Sequence, residues 1–460
     1  MSEKKKEVLS ALELTAEESL YSSISQICDM HTKISCRLIS GMATSFQLSE
    51  QEVVKAIKKA VNHQSKGEPN PLDKQGVHVV GDQVCEKLKI KKNSSAELAV
   101  GCIVGVMIGD VLGAAVEGWP LDLIIKEFPK GIKNFTCCTH MGVRNLGFRY
   151  GRYTDDSNST LAIANSIVDN KGICPQDCAL ECARWYKHEP KRGCPDTAAA
   201  LFESLLKGMD YKKSGFLRFP DGSYANGGSM KASPVGVVLR NINPTKSPKV
   251  FREYVKGAVM GTHQHPEAID GAACIAAAVG YAFGTSPELF EPLDMIARCR
   301  AVSESEGMIE RLKSVEKALK EFDMKDKKES KNLCKADLLT LSKLGGIEFQ
   351  IRAIQAVPQV LYLAGRFFKH PEATIVNMVM VGGDTDTTAS MIGGIMGALH
   401  GTGWIPVRWW DNLENDTPYG RDAAARCAVH LSDIKVAENQ TLFANPPAQK
   451  SSSSILQKLA

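Results

Sequence analysis

Between Ser95 and Trp119 the chain reads SAELAVGCIVGVMIGDVLGAAVEGW, with Gly101, Gly105, Gly109 and Gly113 at every fourth position. At helical pitch the four glycines share one side. Each costs about 1 kcal/mol of helix propensity relative to alanine, so the repeat needs a compensating contact. Close approach of a second backbone is that contact, because no β-carbon stands in its way. The segment is otherwise apolar, with 11 apolar or glycine residues from Ala99 to Gly109 before Asp110 interrupts it. A bilayer span needs about 20 such residues, and Glu117 follows soon after. The expectation is a core helix over 96–116 with no membrane association.

A second glycine cluster, Gly393, Gly394 and Gly397, lies in ASMIGGIMGAL. Tight helix packing alone would account for both faces. They would also bring polar groups at the helix ends into one crowded centre. Between the two clusters, periodic apolar spacing predicts helices over 157–169, 175–187, 195–207, 248–260, 267–282, 287–302, 305–322, 351–368, 371–381 and 387–399. Gly, Pro and Asn clusters separate them, and alternating β-branched runs are scarce. The expected fold is all-α, a compact multi-helix bundle over residues 96–440.

The 460 residues include 43% hydrophobic and 23% charged ones, enough apolar content for a large core and inconsistent with disorder throughout. Residues 1–95 read as a helical N-terminal extension. Thr15 to Glu18 and Ser49 to Glu52 both match a capping box, and Val53, Val54, Ile57 and Val61 share a helical face. The polar stretch HQSKGEPNPLDKQG then marks a boundary. No catalytic grouping falls in this extension, so a regulatory or partner contact is its expected role. Residues 441–460 read as a flexible tail.

Lys and Arg number 56 against 52 Asp and Glu, a net charge of +4 that demands no polyanionic partner. A nucleic-acid acceptor stays open without being indicated. The start, MSEKKKEVLS, lacks the apolar run of a signal peptide, so a cytoplasmic, reducing location is expected. Fourteen cysteines are then free thiols. Cys174, Cys178 and Cys182 recur one turn apart and read as small hydrophobes, with no second pair to complete a zinc site.

Three acidic groups carry the chemistry. Asp110 and Glu117 are seven apart, which in a continuous helix places them on nearly the same side. Thr154, Asp155 and Asp156 precede a helix, where they would also serve as an ordinary N-terminal cap. VGGDTDTT then places Asp384, Asp386 and Thr387 at the head of a buried helix, after the flexible Gly382–Gly383 pair. Aspartates crowded at two apolar helix heads would repel one another in a dry core. A divalent cation resolves the repulsion, and carboxylates with hydroxyls suit Mg²⁺ better than zinc. Two ions fit if one aspartate bridges them. Two further runs are less decisive: THQHPEAIDGAA has histidines without a third soft ligand, and Asn226 to Lys231 form a turn whose amides suit phosphates.

Taken in order, GxxxGDxxGxxxE at 105–117, YTDDS at 153–157, NGGSMK at 226–231, THxHPEA at 262–268 and GGDTDT at 382–387 resemble the ADP-ribosylglycohydrolase family, also called ADP-ribosyl-acceptor hydrolases. The resemblance runs from about 97 to 400 or beyond. It implies an orthogonal α-helical bundle around a binuclear magnesium centre. By that resemblance Thr154, Asp155, Asp156 and Asp386 would hold one Mg²⁺, and Asp155, Asp384, Asp386 and Thr387 the other. Glu117 matches a glutamate near the scissile bond, and Asp110 its helix partner on the substrate side. Asn226, Gly227, Gly228, Ser229 and Met230 would line the phosphate and ribose site, with His263 beside the substrate.

The implied reaction is hydrolysis of the bond from ADP-ribose to a protein side chain or a small conjugate. Glu117, Asp156 and Asp386 are the candidates for handling water or the acceptor. Departures from the family pattern are Ser157-Asn158, where Thr and a small residue are frequent, and Lys231, where Arg is frequent. A non-catalytic crystallin-like or ADP-ribose-binding relative, and a helical Mg²⁺-dependent phosphohydrolase, are the rival readings.

Overall fold

The computed structural model describes residues 49, 52–53, 79–136, 150–325, 331–346, 348–415, 419–438 and 443–444. The expected helices of the N-terminal extension lie outside these residues, with one exception. Ser49 Oγ accepts from the Glu52 amide at 3.3 Å, and Glu52 Oε2 accepts from the Ser49 amide at 2.7 Å, so that capping box forms. The expected tail is likewise outside, except that Phe443 packs edge-on against Tyr254 at 5.7 Å between ring centroids.

Eighteen α-helices make up the described body: α1 (Gly81–Leu88), α2 (Ser95–Ala114), α3 (Leu121–Glu127), α4 (Asp155–Asn170), α5 (Pro175–His188), α6 (Asp196–Leu206), α7 (Tyr211–Ser214), α8 (Ser233–Leu239) and α9 (Pro248–Val259), followed by α10 (Pro266–Phe283), α11 (Pro292–Ala301), α12 (Glu306–Lys325), α13 (Lys335–Gly345), α14 (Ala353–Phe367), α15 (Pro371–Val379), α16 (Thr385–His400), α17 (Val407–Trp410) and α18 (Arg421–Asp433). Among the described residues the only β pairing is two isolated bridges, Val79 with Pro406 and Ala225 with Arg352. The all-α expectation is met.

Local chemistry sets the helix starts. Proline occupies the first turn of α5, α9, α10, α11 and α15, where its missing amide proton costs no hydrogen bond. Ser94 caps α2 by accepting from the Glu97 amide. His265 caps α10, its Nδ1 accepting from the Glu267 amide at 3.2 Å. This histidine therefore ends a backbone and does not lead toward a zinc site. Cys174, Cys178 and Cys182 are buried, as expected of small hydrophobes.

The centre of the bundle is the antiparallel pair α2 and α16. Every residue of α2 from Ala99 to Ala114 is buried, as is every residue of α16 from Thr385 to Leu399. By length and composition α2 could cross a membrane, but 89% of its most apolar window lies inside the protein, so it is a core helix. A β-carbon on Gly101, Gly105, Gly109 or Gly113 would fall within 3.0 Å of the backbone of Gly397 and Gly401, Gly393, Ala389 or Thr385 respectively. Reciprocally, one on Gly393 or Gly397 would strike the Gly105 or Gly101 carbonyl. The two helices thus touch backbone to backbone along four turns, at a separation that only glycine on α2 permits.

Candidate metal centre and its cavity

At its C-terminal end the glycine seam opens into the acidic motifs. Helix α2 stops at Ala114, two residues short of the predicted end, so Glu117 lies in the following turn. Its placement therefore does not come from a continuous two-turn helix spacing with Asp110. It comes from a short pairing of two glycine-containing loops. The Gly118 amide donates to the Gly383 carbonyl at 2.7 Å, and the Gly383 amide donates to the Trp119 carbonyl at 3.0 Å. Gly382 and Gly383 have φ of 85° and 81°, the left-handed region that disfavours side chains. A β-carbon on Gly383 would also strike the Glu348 carbonyl and the Gln350 carboxamide.

Two further bonds stitch the head of α16 to its surroundings. Thr385 Oγ1 donates to the Gly113 carbonyl at 2.7 Å, adding a side-chain bond to an acceptor that the Val116 amide also uses. Gln350 Oε1 accepts from the Asp384 amide at 3.0 Å. As a result Glu117, Asp384 and Asp386, all buried, offer oxygens that lie within 4.8 Å of one another.

The second helix head arrives through Asp110. Its carboxylate accepts from the amides of Thr154 (2.9 Å) and Ser157 (2.9 Å) and from Ser157 Oγ (2.6 Å). Asp110 therefore anchors the start of α4 and lies behind the cavity wall. Burial pushes its pKa up to about 6, while the Ser157 hydroxyl and the two amides pull it back toward the usual range. Thr154 caps α4, and its hydroxyl donates to Asp156 Oδ2 at 3.1 Å. Ser390 Oγ, from α16, donates to the other oxygen of Asp156 at 3.3 Å.

Electrostatically the cluster is under stress. Burial raises Asp386 well above the usual carboxylate range, and the neighbouring Glu117, Asp156 and Asp384 raise it further. Asp156 is raised well above it too, by burial first and then by Asp110, Asp155 and Asp384. Asp384 is raised by burial and by Glu117, opposed by the Asn226 carboxamide that donates to it at 2.6 Å. Among the described residues, the hydrogen-bond donors to Asp110, Asp156 and Asp384 are hydroxyls, backbone amides and a carboxamide, with no Lys or Arg among them. An all-oxygen donor set carrying this much uncompensated negative potential fits a hard divalent cation such as Mg²⁺.

The cluster forms one end of a cavity of about 1210 Å³, counting its open mouth. Glu117, Asp155, Asp156, Asp384, Thr387, Asn226, Gly227, Met230 and His263 line it. Thr154, Gly228, Ser229 and Asp386, like Asp110, lie behind the lining. Asn226 to Gly228 form a single 3₁₀ turn. The amides of Asn226, Ser229 and Met230 are taken by the carbonyls of Ile351 and Asn226, so the phosphate-binding expectation narrows to the remaining amides of this turn.

Several lining residues carried no motif. Phe219, Tyr224, Phe349 and Ile351 form an apolar part of the wall and stay 39 to 51% exposed. Arg352 braces this wall, pairing with Glu267 at 2.6 Å and stacking over the Tyr224 ring at 5.1 Å. Phe219 and Tyr224 fall in a Gly-, Pro- and Asp-rich loop, where exposed aromatics are a usable signal. Gln350 gives no such sign, because its role depends on a partner 34 residues away.

The family model described as ADP-ribosylglycohydrolase matches residues 91–440. The chain is 28% identical over 332 residues to the ADP-ribosylhydrolase ARH3 of Xenopus tropicalis, covering 67% of this chain and 89% of that protein. It is also 28% identical over 359 residues to the Danio rerio protein of the same name, covering 73% and 90%. A solved structure described as an ADP-ribosylglycohydrolase-related protein complex superposes with a TM-score of 0.52 at 20% identity, covering 74% of this chain and 99% of that one, a likeness of fold.

Proposed function

Because the chain belongs to the ADP-ribosylglycohydrolase family, we propose that it is a Mg²⁺-dependent hydrolase of the bond between ADP-ribose and an acceptor, a protein side chain or a small conjugate. The observation that carries this reading is the convergence of Glu117, Asp384 and Asp386 at the end of one cavity. Two ions are proposed, one held by Thr154, Asp155, Asp156 and Asp386, the other by Asp155, Asp384, Asp386 and Thr387. When bound, Mg²⁺ would supply positive charge that grips vicinal hydroxyls of the distal ribose and polarises oxygen nearby.

The protein's own groups account for the remainder. Water adds its oxygen to C1″ of the ribose, the bond to the acceptor breaks, and a proton is delivered to the departing acceptor atom. Positive charge develops at C1″ in this step, and the carboxylates of Glu117 and Asp156 at the cavity wall stabilise it. Either carboxylate can accept the proton of the attacking water. Asn226 fixes the Asp384 carboxylate, and Ser390 and Thr154 fix Asp156, so that these groups are oriented before the ligand arrives. The apolar wall of Phe219, Tyr224, Phe349 and Ile351 suits the adenine.

The test offers the purified protein ADP-ribosylated arginine, serine and DNA-end substrates, with Mg²⁺ and with EDTA. Release of ADP-ribose from at least one substrate, lost in EDTA, is the expected result. Release from none, or release that EDTA leaves unchanged, overturns the proposal.

A further inference from the structure

Gln350 stands between two residues of the apolar wall but belongs to the metal end of the cavity. Phe349 and Ile351 line the cavity, whereas Gln350 is only 1% exposed and lies behind the lining. Its Oε1 accepts from the Asp384 amide at 3.0 Å. Reversing the carboxamide would set two donors against each other, so the Asp384 amide fixes it this way round. The Gln350 backbone reaches the same aspartate by a second route. Its carbonyl accepts from Asn226 Nδ2 at 2.9 Å, and that nitrogen also donates to Asp384 Oδ2 at 2.6 Å. Asn226 Nδ2 carries two protons, so both bonds form at once. Asp384 is thus held at its amide and at its carboxylate by one closed ring of three residues. The ring is tied to the wall as well, because the Asn226 amide donates to the Ile351 carbonyl at 2.9 Å and the Ala353 amide to the Tyr224 carbonyl at 3.1 Å. It has one weak point. Gln350 Nε2 is buried with no hydrogen-bond partner among the described residues, a cost that favours release of the carboxamide.

We infer that Gln350 is a positioning residue that couples the two ends of the cavity, so that a base packed on Phe349 and Ile351 tightens Mg²⁺ binding at Asp384. The identities of the base and the ion rest on the proposed function; the hydrogen-bonded ring does not. The element that both ends bias is the carboxamide, engaged with the Asp384 amide or released from it. A ligand that covers Phe349 and Ile351 orders the peptide between them and favours the engaged state. The engaged state in turn holds Asp384 in place for a cation without a further ordering cost. By linkage, the ion must tighten the base by the same factor. The consequence is that the metal centre is complete only when the far end of the cavity is filled, and a ligand without the base is penalised at a site it does touch.

The probe is 2′,3′-dideoxyadenosine, which has a base but no phosphate and no vicinal hydroxyls with which to ligate Mg²⁺ itself. Mg²⁺ is titrated calorimetrically into the full-length protein with and without the saturating nucleoside, and the nucleoside with and without Mg²⁺. In the wild type each should tighten the other by about 5-fold. Q350M keeps the side-chain volume and removes the acceptor; it should bind Mg²⁺ about 10-fold more weakly and show coupling of less than about 2-fold. A role confined to stability would lower the melting temperature and leave the coupling factor unchanged. Hydrogen exchange of wild-type peptides spanning residues 380–388 needs no variant, and the nucleoside should slow exchange there. Wild-type protein that binds both ligands without coupling, Q350M that couples as fully as wild type, or exchange at 380–388 indifferent to the nucleoside overturns the role of Gln350 and leaves the proposed function standing. Wild-type protein that binds neither Mg²⁺ nor ADP-ribose overturns the proposed function, and the coupling with it.

Discussion

The same two helices build a dry seam and, at one end of it, a cluster of carboxylates. Along α2 and α16, Gly101 to Gly113 face Thr385 to Gly401 with no side chain between the backbones. One turn beyond, the chain turns outward and Glu117, Asp384 and Asp386 crowd within 4.8 Å. The seam and the cluster are opposite in chemistry and continuous in structure. What the contrast teaches is that the seam supplies the rigidity that the cluster lacks. Like charges at that spacing would drift apart on mobile loops, but here the Thr385 bond to Gly113 and the Gly118–Gly383 pairing tie the carboxylates to a backbone contact that cannot slide.

Breaking the seam should have the largest effect. G109V places a branched side chain where the Ala389 backbone already lies, so the helices must separate or the protein must fail to fold. A loss of about 4 kcal/mol, beyond the usual range for overpacking because the opposing atoms are backbone, is expected in urea denaturation. Breaking the cluster should leave the fold intact. D384N/D386N removes mutual repulsion, so urea stability in the absence of Mg²⁺ should be equal or higher, while ADP-ribose release in the proposed assay falls at least about 100-fold, roughly 2.7 kcal/mol of barrier. Between these two lies the junction. S157A deletes one of the bonds that Asp110 uses to hold α4, and a loss of about 1 kcal/mol with a several-fold lower kcat is expected from denaturation and steady-state kinetics.

The seam was legible because a four-residue glycine period has few structural explanations, and its partner at Gly393 and Gly397 was visible too. The eleven helices with strong apolar periodicity appear within a few residues of their predicted bounds. Helix α18 was missed, because RDAAARCAVHLSD carries alanine in place of large apolar residues and shows little stripe although it packs on α2. Helices α1, α3, α8 and α13 are short, and α13 begins after a charged loop that masks its start. At the site, the acidic motifs announced the carboxylates but not how they meet. Glu117 was read from helix spacing, whereas a loop pairing positions it. Gln350 and Ser390 were invisible, because each acts through a partner that only the tertiary fold supplies.

The comparison also carries a pH dependence. The folded pKa of Asp110, about 6, lies above its ordinary value of 3.8, and Asp156, Asp384 and Asp386 are shifted the same way. The metal-free folded state therefore binds more protons than the unfolded chain. The stability that Asp110 contributes is complete below about pH 3.8 and is lost as pH rises through about 6, and the contributions of the other three fall in the same direction as pH rises. Mg²⁺ binds the ionised forms, so its stabilising effect should grow as pH rises.

The most direct measurement is thermal unfolding of the wild-type protein and of D384N/D386N at about pH 7.5 and about pH 5, each with Mg²⁺ in excess and with EDTA. At 100-fold above its dissociation constant, a ligand that binds only the folded state stabilises it by about 2.7 kcal/mol. The account predicts a wild-type Tm that Mg²⁺ raises at the higher pH, raises less at the lower, and leaves unchanged in D384N/D386N. A wild-type Tm indifferent to Mg²⁺ at both pH values, or a double variant that responds as fully as wild type, would contradict the claim that these carboxylates are held together to bind a divalent cation.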